Sequence, residues 1–162
     1  MSKRQTRLWT RGDGLLLLRL KEAPVSKVPV DKGEKSWCRI DHPNDQGVLN
    51  IEWYAVRTTA EDVGVLALKR DLPQIQAATI LAIEIVPEQR GRALGMRALI
   101  VAEKKLKREG LDQCYSRVPR NNGRGFYFML RAGHAPITPP LEDGVYTVTS
   151  KVLSKVDGHL VR

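Results

Sequence analysis

Long apolar runs are missing from this chain. The tightest, Leu15 to Leu18, falls far short of the roughly 20 residues a membrane-spanning helix needs, and it is too short for the apolar centre of a secretory leader. The expectation is a soluble, cytoplasmic protein with no membrane partner. Cysteine is scarce as well. Cys38 and Cys114 form no C-x-x-C pair and no metal-ligand spacing with His42, His134 or His159, so reduced thiols and no metal are expected. Acidic residues are in deficit, with 18 Asp and Glu against 27 Lys and Arg, a net charge of +9. That balance bears on partners, not on fold: nucleic acid, an acidic protein or an anionic cofactor would each be attracted. Aromatics make up only 6%, which leaves Trp9, Trp37, Trp53 and Tyr54 as the residues that could stack on bases. Internal repeats and low-complexity tracts are also absent.

What remains is an ordinary globular chain. A length of 162 residues and a hydrophobic fraction of 42% suit one domain with one core. Residues 1–13 read as a loose basic arm and 14–162 as a single domain. Gly14 to Leu20 reads as a short buried strand. Residues 21–47 carry Pro24, Pro29, Pro43, Gly33 and Gly47, which disfavour long regular elements. Val48–Arg57, Val63–Lys69 and Ala78–Val86 read as strands, the last rich in Ile, Leu and Val and ended by Pro87. Leu94, Ala98, Leu99, Ala102 and Leu106 recur at helical spacing, with lysines at the end and Gly110 as the stop. Gln113–Val118 reads as a strand, Asn121–Arg131 as a helix and Tyr146–Leu153 as a late strand. This order predicts an α/β (α+β) fold, a mixed sheet with helices.

The most informative stretch is the junction from Pro87 to Met96, where a buried strand gives way to a Gly- and Arg-containing loop and then a helix. Free backbone N–H groups and the helix dipole make such a junction an anion site. Gly91 and Gly95 let the backbone approach closely, and Arg90 and Arg92 add charge-assisted hydrogen bonds. A phosphate or pyrophosphate is the expected ligand. The Gly-Lys-Ser/Thr ending of a P-loop and the G-x-G-x-x-G spacing of a dinucleotide fold are both absent.

The stretch Ile83-Glu84-Ile85-Val86-Pro87-Glu88-Gln89-Arg90-Gly91-Arg92-Ala93-Leu94-Gly95 resembles the acetyl-CoA motif of the GNAT superfamily, Q/R-x-x-G-x-G/A. Arg90 matches the first position and Gly95 the last, while Ala93 stands where the middle glycine belongs. Downstream, Asn122, Gly125, Met129 and Gly133-His134 fall in register with a second pattern of that family: Asn, Ala, Tyr and Gly-Phe. Asn122 and Gly133 match, Gly125 is a small-for-small change, and Met129 and His134 depart. The two patterns cover about residues 78 to 134.

The resemblance implies a twisted sheet splayed between the fourth and fifth strands of the family, here Ala78–Val86 and Gln113–Val118. It implies acetyl-CoA as cofactor, held by Ile85, Val86, Arg90, Gly91, Arg92, Ala93, Leu94, Gly95, Met96, Asn122 and Met129. The activity implied is acetyl transfer to a primary amine, on a small molecule or a protein, by direct attack on the thioester. Glu84, the only carboxylate in the core strand, is the leading general base, and a backbone N–H near Val86 would hold the oxyanion. The acid is open among Tyr127, Ser116, Tyr115 and His134, because Met129 cannot donate a proton. A GNAT-like module that holds nucleic acid, or an enzyme that modifies nucleic acid, is the alternative. A homodimer would be in keeping with the family.

Overall fold

A computed structural model describes residues 7–21, 50–137 and 146–153. The remaining residues, among them Trp37, Cys38, His42, His159 and the stretch 22–49, lie outside the described part. Eight strands make one sheet in the order β1-β2-β3-β4-β5-β6-β8-β7: β1 Arg7–Gly12, β2 Leu15–Leu20, β3 Glu52–Arg57, β4 Asp62–Arg70, β5 Ala77–Ile85, β6 Gln113–Pro119, β7 Ala135–Pro136 and β8 Tyr146–Val152. Among the described residues two α-helices accompany them, α1 Leu94–Arg108 and α2 Gly123–Arg131. β1 to β5 pair antiparallel in succession. The chain then crosses over through α1, so β5 and β6 run parallel.

The elements follow the expectations within a residue or two, except that the strand expected from Val48 begins at Glu52, that the short β7 was not expected, and that the N-terminal arm needs correction. Arg7–Gly12, read as part of a loose arm, is a strand paired to β2 from Arg7↔Arg19 to Gly12↔Leu15. Thr10 is buried and Trp9 lies against the core, while Arg7 and Arg11 stay outside. Exposed Arg7, Leu8 and Arg11 and an irregular register between Leu8 and Thr10 hide the alternation by which an edge strand is read.

Side chains alternate across each strand and give the sheet two faces. One packs on the helices: Leu17, Tyr54, Leu66, Ile80 and Ile83 form a single cluster with Leu99 and Leu106 of α1. Full burial of each such leucine contributes about 2 kcal/mol by transfer. The opposite face carries smaller clusters, Leu18, Leu20 and Ala55, then Ala67 and Leu81.

Both helices end by the same device. After α1, Gly110 takes φ 92°, its N–H donates to Lys107 at 2.9 Å, and the Leu111 N–H donates to Leu106 at 3.1 Å. After α2, Gly133 takes φ 90°, with Gly133 donating to Leu130 at 3.0 Å and His134 to Met129 at 3.0 Å. These are paired closing bonds around a left-handed glycine. The second of them delivers His134 to the interior.

Candidate functional site

The site begins where the sheet opens. β5 and β6 pair only from Ala77↔Gln113 to Ile80↔Ser116, although β5 runs on to Ile85. On its other edge β5 stays with β4 as far as Gly64↔Ile85. The register against β4 slips between Ala67↔Ala82 and Leu68↔Ile80, so Leu81 is an extra residue on β5. A bulge bends its strand and increases twist. This one stands at the residue after the last β5–β6 pair, so the strands part there.

Backbone groups of β5 beyond the bulge divide between two directions. The Val86 N–H donates to the Val63 carbonyl at 2.8 Å. By the alternation of an antiparallel ladder, Ile85 and Ile83 then turn their backbone groups away from β4, into the opening. The Ile85 carbonyl accordingly accepts from Arg90 Nε at 2.9 Å. Ile85, expected to hold the cofactor, thus turns its backbone to the opening together with Ile83, whereas the N–H of Val86, expected to hold the cofactor as well, is bonded to Val63.

The loop after β5 turns through Pro87–Gln89 as one 3-10 turn and reaches α1 by way of Gly91 at φ 79° and Ala93 at φ 58°. Ala93 precedes the first helical residue. No side chain caps this end, and the first turn holds no acidic residue. The first bond along the helix runs from the Arg97 N–H to the Ala93 carbonyl at 3.0 Å. The preceding N–H groups, those of Leu94, Gly95 and Met96, have no partner within the helix, and the positive end of the dipole lies there too. Arg92 donates to Gln89 Oε1 at 3.2 Å, and Gln89 donates to Glu61 at 2.8 Å, which braces the loop from outside.

Between loop, fork and α2 lies a cavity of about 380 Å³ lined by Ile83, Ile85, Gln89, Arg90, Gly91, Ala93, Leu94, Gly95, Met96, Tyr127, Phe128 and Arg131. A Cβ on Gly95 would stand 3.5 Å from the Phe128 ring and 3.6 Å from Ile85, within the cavity wall, whereas one on Gly91 would meet nothing. Most of the expected binding residues are therefore gathered around one space.

Two are not. Met129 has no exposed surface and is part of the core. Asn122 is buried and serves α2 as its cap, accepting from the Gly125 N–H at 2.9 Å. Asn122 therefore shapes the helix that walls the cavity without lining it. Arg92 also lies outside the lining, its guanidinium turned to Gln89.

The three catalytic candidates are not brought together. Glu84 lies between Ile83 and Ile85, whose side chains face the cavity, so it leaves the sheet on the face away from the helices. It is half-buried, opposite Val65, and makes no hydrogen bond or ion pair among the described residues. Tyr127 is on the helix side, 60% exposed at the cavity wall, too far outward for an acid beside Glu84. Ser116 is buried on the helix side, its hydroxyl bonded to that of Thr149. Tyr115 is directed to the other face and donates to Gln113.

A buried polar network lies under the same helices. His134 Nε2 is 2.8 Å from Glu103 Oε1, Lys151 Nζ donates to Glu103 Oε2 at 2.7 Å, and His134 Nδ1 is 3.4 Å from Thr149 Oγ1. The donor atoms of Glu103, Cys114 and His134 all fall within 4.8 Å of one another. Linear spacing gave no hint of this, because the residues come from α1, β6 and the turn after α2. Glu103 spends both oxygens on protein partners. Burial, reinforced by the Glu103 charge, pushes the Cys114 thiol well up.

Of the aromatics proposed for base stacking, Trp37 lies outside the described residues and the other three are otherwise engaged. Tyr54 is buried and Trp9 stacks on it at 4.4 Å between ring centroids. Trp53 packs, half-buried, against Leu18, Leu20 and Ala55.

No family model and no curated protein matches the chain. Solved structures do. The IAA acetyltransferase from Bacillus cereus ATCC 14579 superposes with a TM-score of 0.62 at 13% identity, over 85% of this chain and 99% of that one. An acetyltransferase of the GNAT family from Staphylococcus aureus MU50 gives a TM-score of 0.53 at 15% identity, over 65% and 69%. This is the GNAT fold. The PaiA N-acetyltransferase from Thermoplasma acidophilum, solved in complex with coenzyme A, gives a TM-score of 0.54 at 26% identity over 67% of this chain and 65% of that one. The mixed sheet with its fork between β5 and β6 is the arrangement the sequence resemblance implied.

Proposed function

We propose that the chain is an N-acyltransferase that takes its acyl group from acetyl-CoA and delivers it to a primary amine. The observation that carries this reading is the conjunction of the fork with an uncapped, acid-free helix start at one cavity. The residues present suit the cofactor. The N–H groups of Leu94, Gly95 and Met96, without partners within the helix, would hold a pyrophosphate, and Gly95 puts no side chain between them and the Phe128 ring. The backbone of Ile83 and Ile85 offers hydrogen bonds to an amide-bearing arm, and Leu94 and Phe128 provide an apolar wall. Acetyl-CoA supplies the activated acyl group when bound.

The chain's own residues then have defined tasks. Glu84, on the far face of the sheet, takes a proton from the acceptor ammonium, whose ordinary pKa near 10 leaves little free amine at neutral pH. The open backbone N–H of Ile83 or Ile85, and not that of Val86, stabilises the oxyanion. A dedicated acid is unnecessary, because a thiol with a pKa near 8.5 departs readily without one.

Thermal unfolding with acetyl-CoA tests this directly. Ligand at about 100 times its dissociation constant adds about 2.7 kcal/mol, and about 2–4 °C of Tm per kcal/mol is expected at this chain length. Millimolar acetyl-CoA should raise Tm by several degrees in the native chain and not in Gly95→Trp, whose indole fills the cavity. No shift in the native chain with acetyl-CoA or any other acyl-CoA would sink the reading.

A further inference from the structure

The fork has two limbs, and the face of the sheet away from the helices puts one charge on each. Cys114, Ser116 and Val118 of β6 are buried on the helix side, so Arg117, between Ser116 and Val118, leaves on the far face. It is half-buried, and its strand neighbour on β8 is Val148. Glu84 leaves β5 on that same face, half-buried and opposite Val65. Arg117 is the first residue of β6 beyond the last β5–β6 pair, Ile80↔Ser116. Carried on in register it stands level with Leu81, and Glu84 comes at the third position past Leu81. At about 3.3 Å per residue along the strands and about 4.8 Å or more between them, the two Cα atoms are about 11 Å apart or more. Such a gap leaves room for a small molecule between the charged ends of the side chains.

The ground around this pair is small and apolar. Ala82 lies on β5 between the two levels, and Val65 and Val148 flank them, all half-buried. Apolar surroundings strengthen a charge pair. Arg57, at the same end of the sheet, is committed to Asp62. A guanidinium carries five donors, so it can serve a ligand and a protein neighbour together, and it grips a carboxylate through two parallel hydrogen bonds. One kind of acceptor answers both charges. We infer that the acceptor is a small amino acid, its primary amine at Glu84 and its carboxylate held by Arg117. This inference rests on the reading proposed above and names its acceptor class. The chemistry is unchanged: nitrogen bonds to the acyl carbon, the C–S bond breaks, the ammonium proton passes to Glu84, and CoA leaves as the thiolate. Arg117 touches only the carboxylate, which makes and breaks no bond, so it serves affinity rather than turnover.

Release of the CoA thiol from acetyl-CoA, with the common amino acids and their primary amides as acceptors, tests this. Each acid and its amide differ only at the carboxylate. That negative charge makes the acid's ammonium the harder to deprotonate, so basicity favours the amide and a preference for the acid reports recognition. The native chain should use at least one amino acid with kcat/KM about 10-fold or more above that of its amide. Arg117→Gln should remove that ratio through KM with kcat nearly unchanged, and Arg117→Lys should recover part of it, each variant's fold being checked by its melting curve. Amides that serve as well as the acids overturn the inference. So does an Arg117→Gln variant that keeps the ratio. Acetyl-CoA that raises Tm while no amino acid is acetylated overturns the acceptor class and leaves the acyltransferase reading standing. No Tm shift with any acyl-CoA removes that reading, and the inference with it.

Discussion

At the scale of the single residue, Ala93 states the tension in the loop. It occupies φ 58° at the entrance to α1, a conformation that costs an alanine roughly 1–2 kcal/mol and a glycine almost nothing. The small residue keeps the approach to the helix N–H groups open, and the methyl exacts the strain. Ala93→Gly should therefore raise stability by about 0.5–1 kcal/mol in urea unfolding, once the looser unfolded chain is allowed for; a loss of stability would show that the alanine is not strained. Glu84 has a sharper test. Glu84→Gln should lower kcat by about 100-fold or more and leave acetyl-CoA affinity unchanged by calorimetry. Retained kcat would remove Glu84 as the base. Cys114, buried and with its thiol pushed up, should resist alkylation at neutral pH until the chain unfolds, as mass spectrometry with and without denaturant would show.

At the scale of elements, α1 and α2 are fixed by polar contacts that hydrophobic periodicity does not reveal. Glu103 is buried and shared by His134 and Lys151, so it ties the middle of α1 to the end of α2 and to β8. Glu103→Ala leaves the buried His134 Nε2 without its partner and should cost about 1–3 kcal/mol; an unchanged stability in denaturant titration would refute this. The far end of α1 is tied to β1 and β4 by Glu109, which accepts from Trp9 at 3.0 Å and Arg70 at 2.8 Å. Burial alone would raise its pKa, but the hydrogen bonds and charge of Arg70 outweigh burial and lower it. Its contribution is accordingly present above the ordinary Glu range and is lost as pH falls through the lowered value. Glu109→Gln should flatten that acid limb of the stability curve.

At the scale of the whole molecule, the sequence carried the parts whose physics is local. Strand and helix order followed from apolar runs, prolines and the glycine stops. The strand–loop–helix junction proposed to hold the phosphates followed from Gly91, Arg90 and Gly95 standing between a strand and a helix. The departure of Met129 was also legible, and the structure gives its reason: that side chain is core, not cavity. What lay hidden was long-range. The extra residue at Leu81 that opens the fork is visible only against β4. The commitment of the Val86 N–H is set by register with Val63. Nothing in their spacing joins Glu103, Cys114 and His134. Tyr127, a candidate acid from the sequence, stands exposed at the cavity wall on the helix side, a placement the sequence does not give because it shows the face of a helix but not what stands opposite it.

The central claim is that one cofactor lies along β5, its pyrophosphate at the start of α1. A crystal structure grown with acetyl-CoA tests this most directly. The account predicts density for the pyrophosphate within hydrogen-bond reach of the N–H groups between Gly91 and Met96, and the pantetheine amides against the backbone of Ile83 and Ile85, between β5 and β6. Density for the cofactor elsewhere on the chain, with this fork left closed to it, would contradict the account.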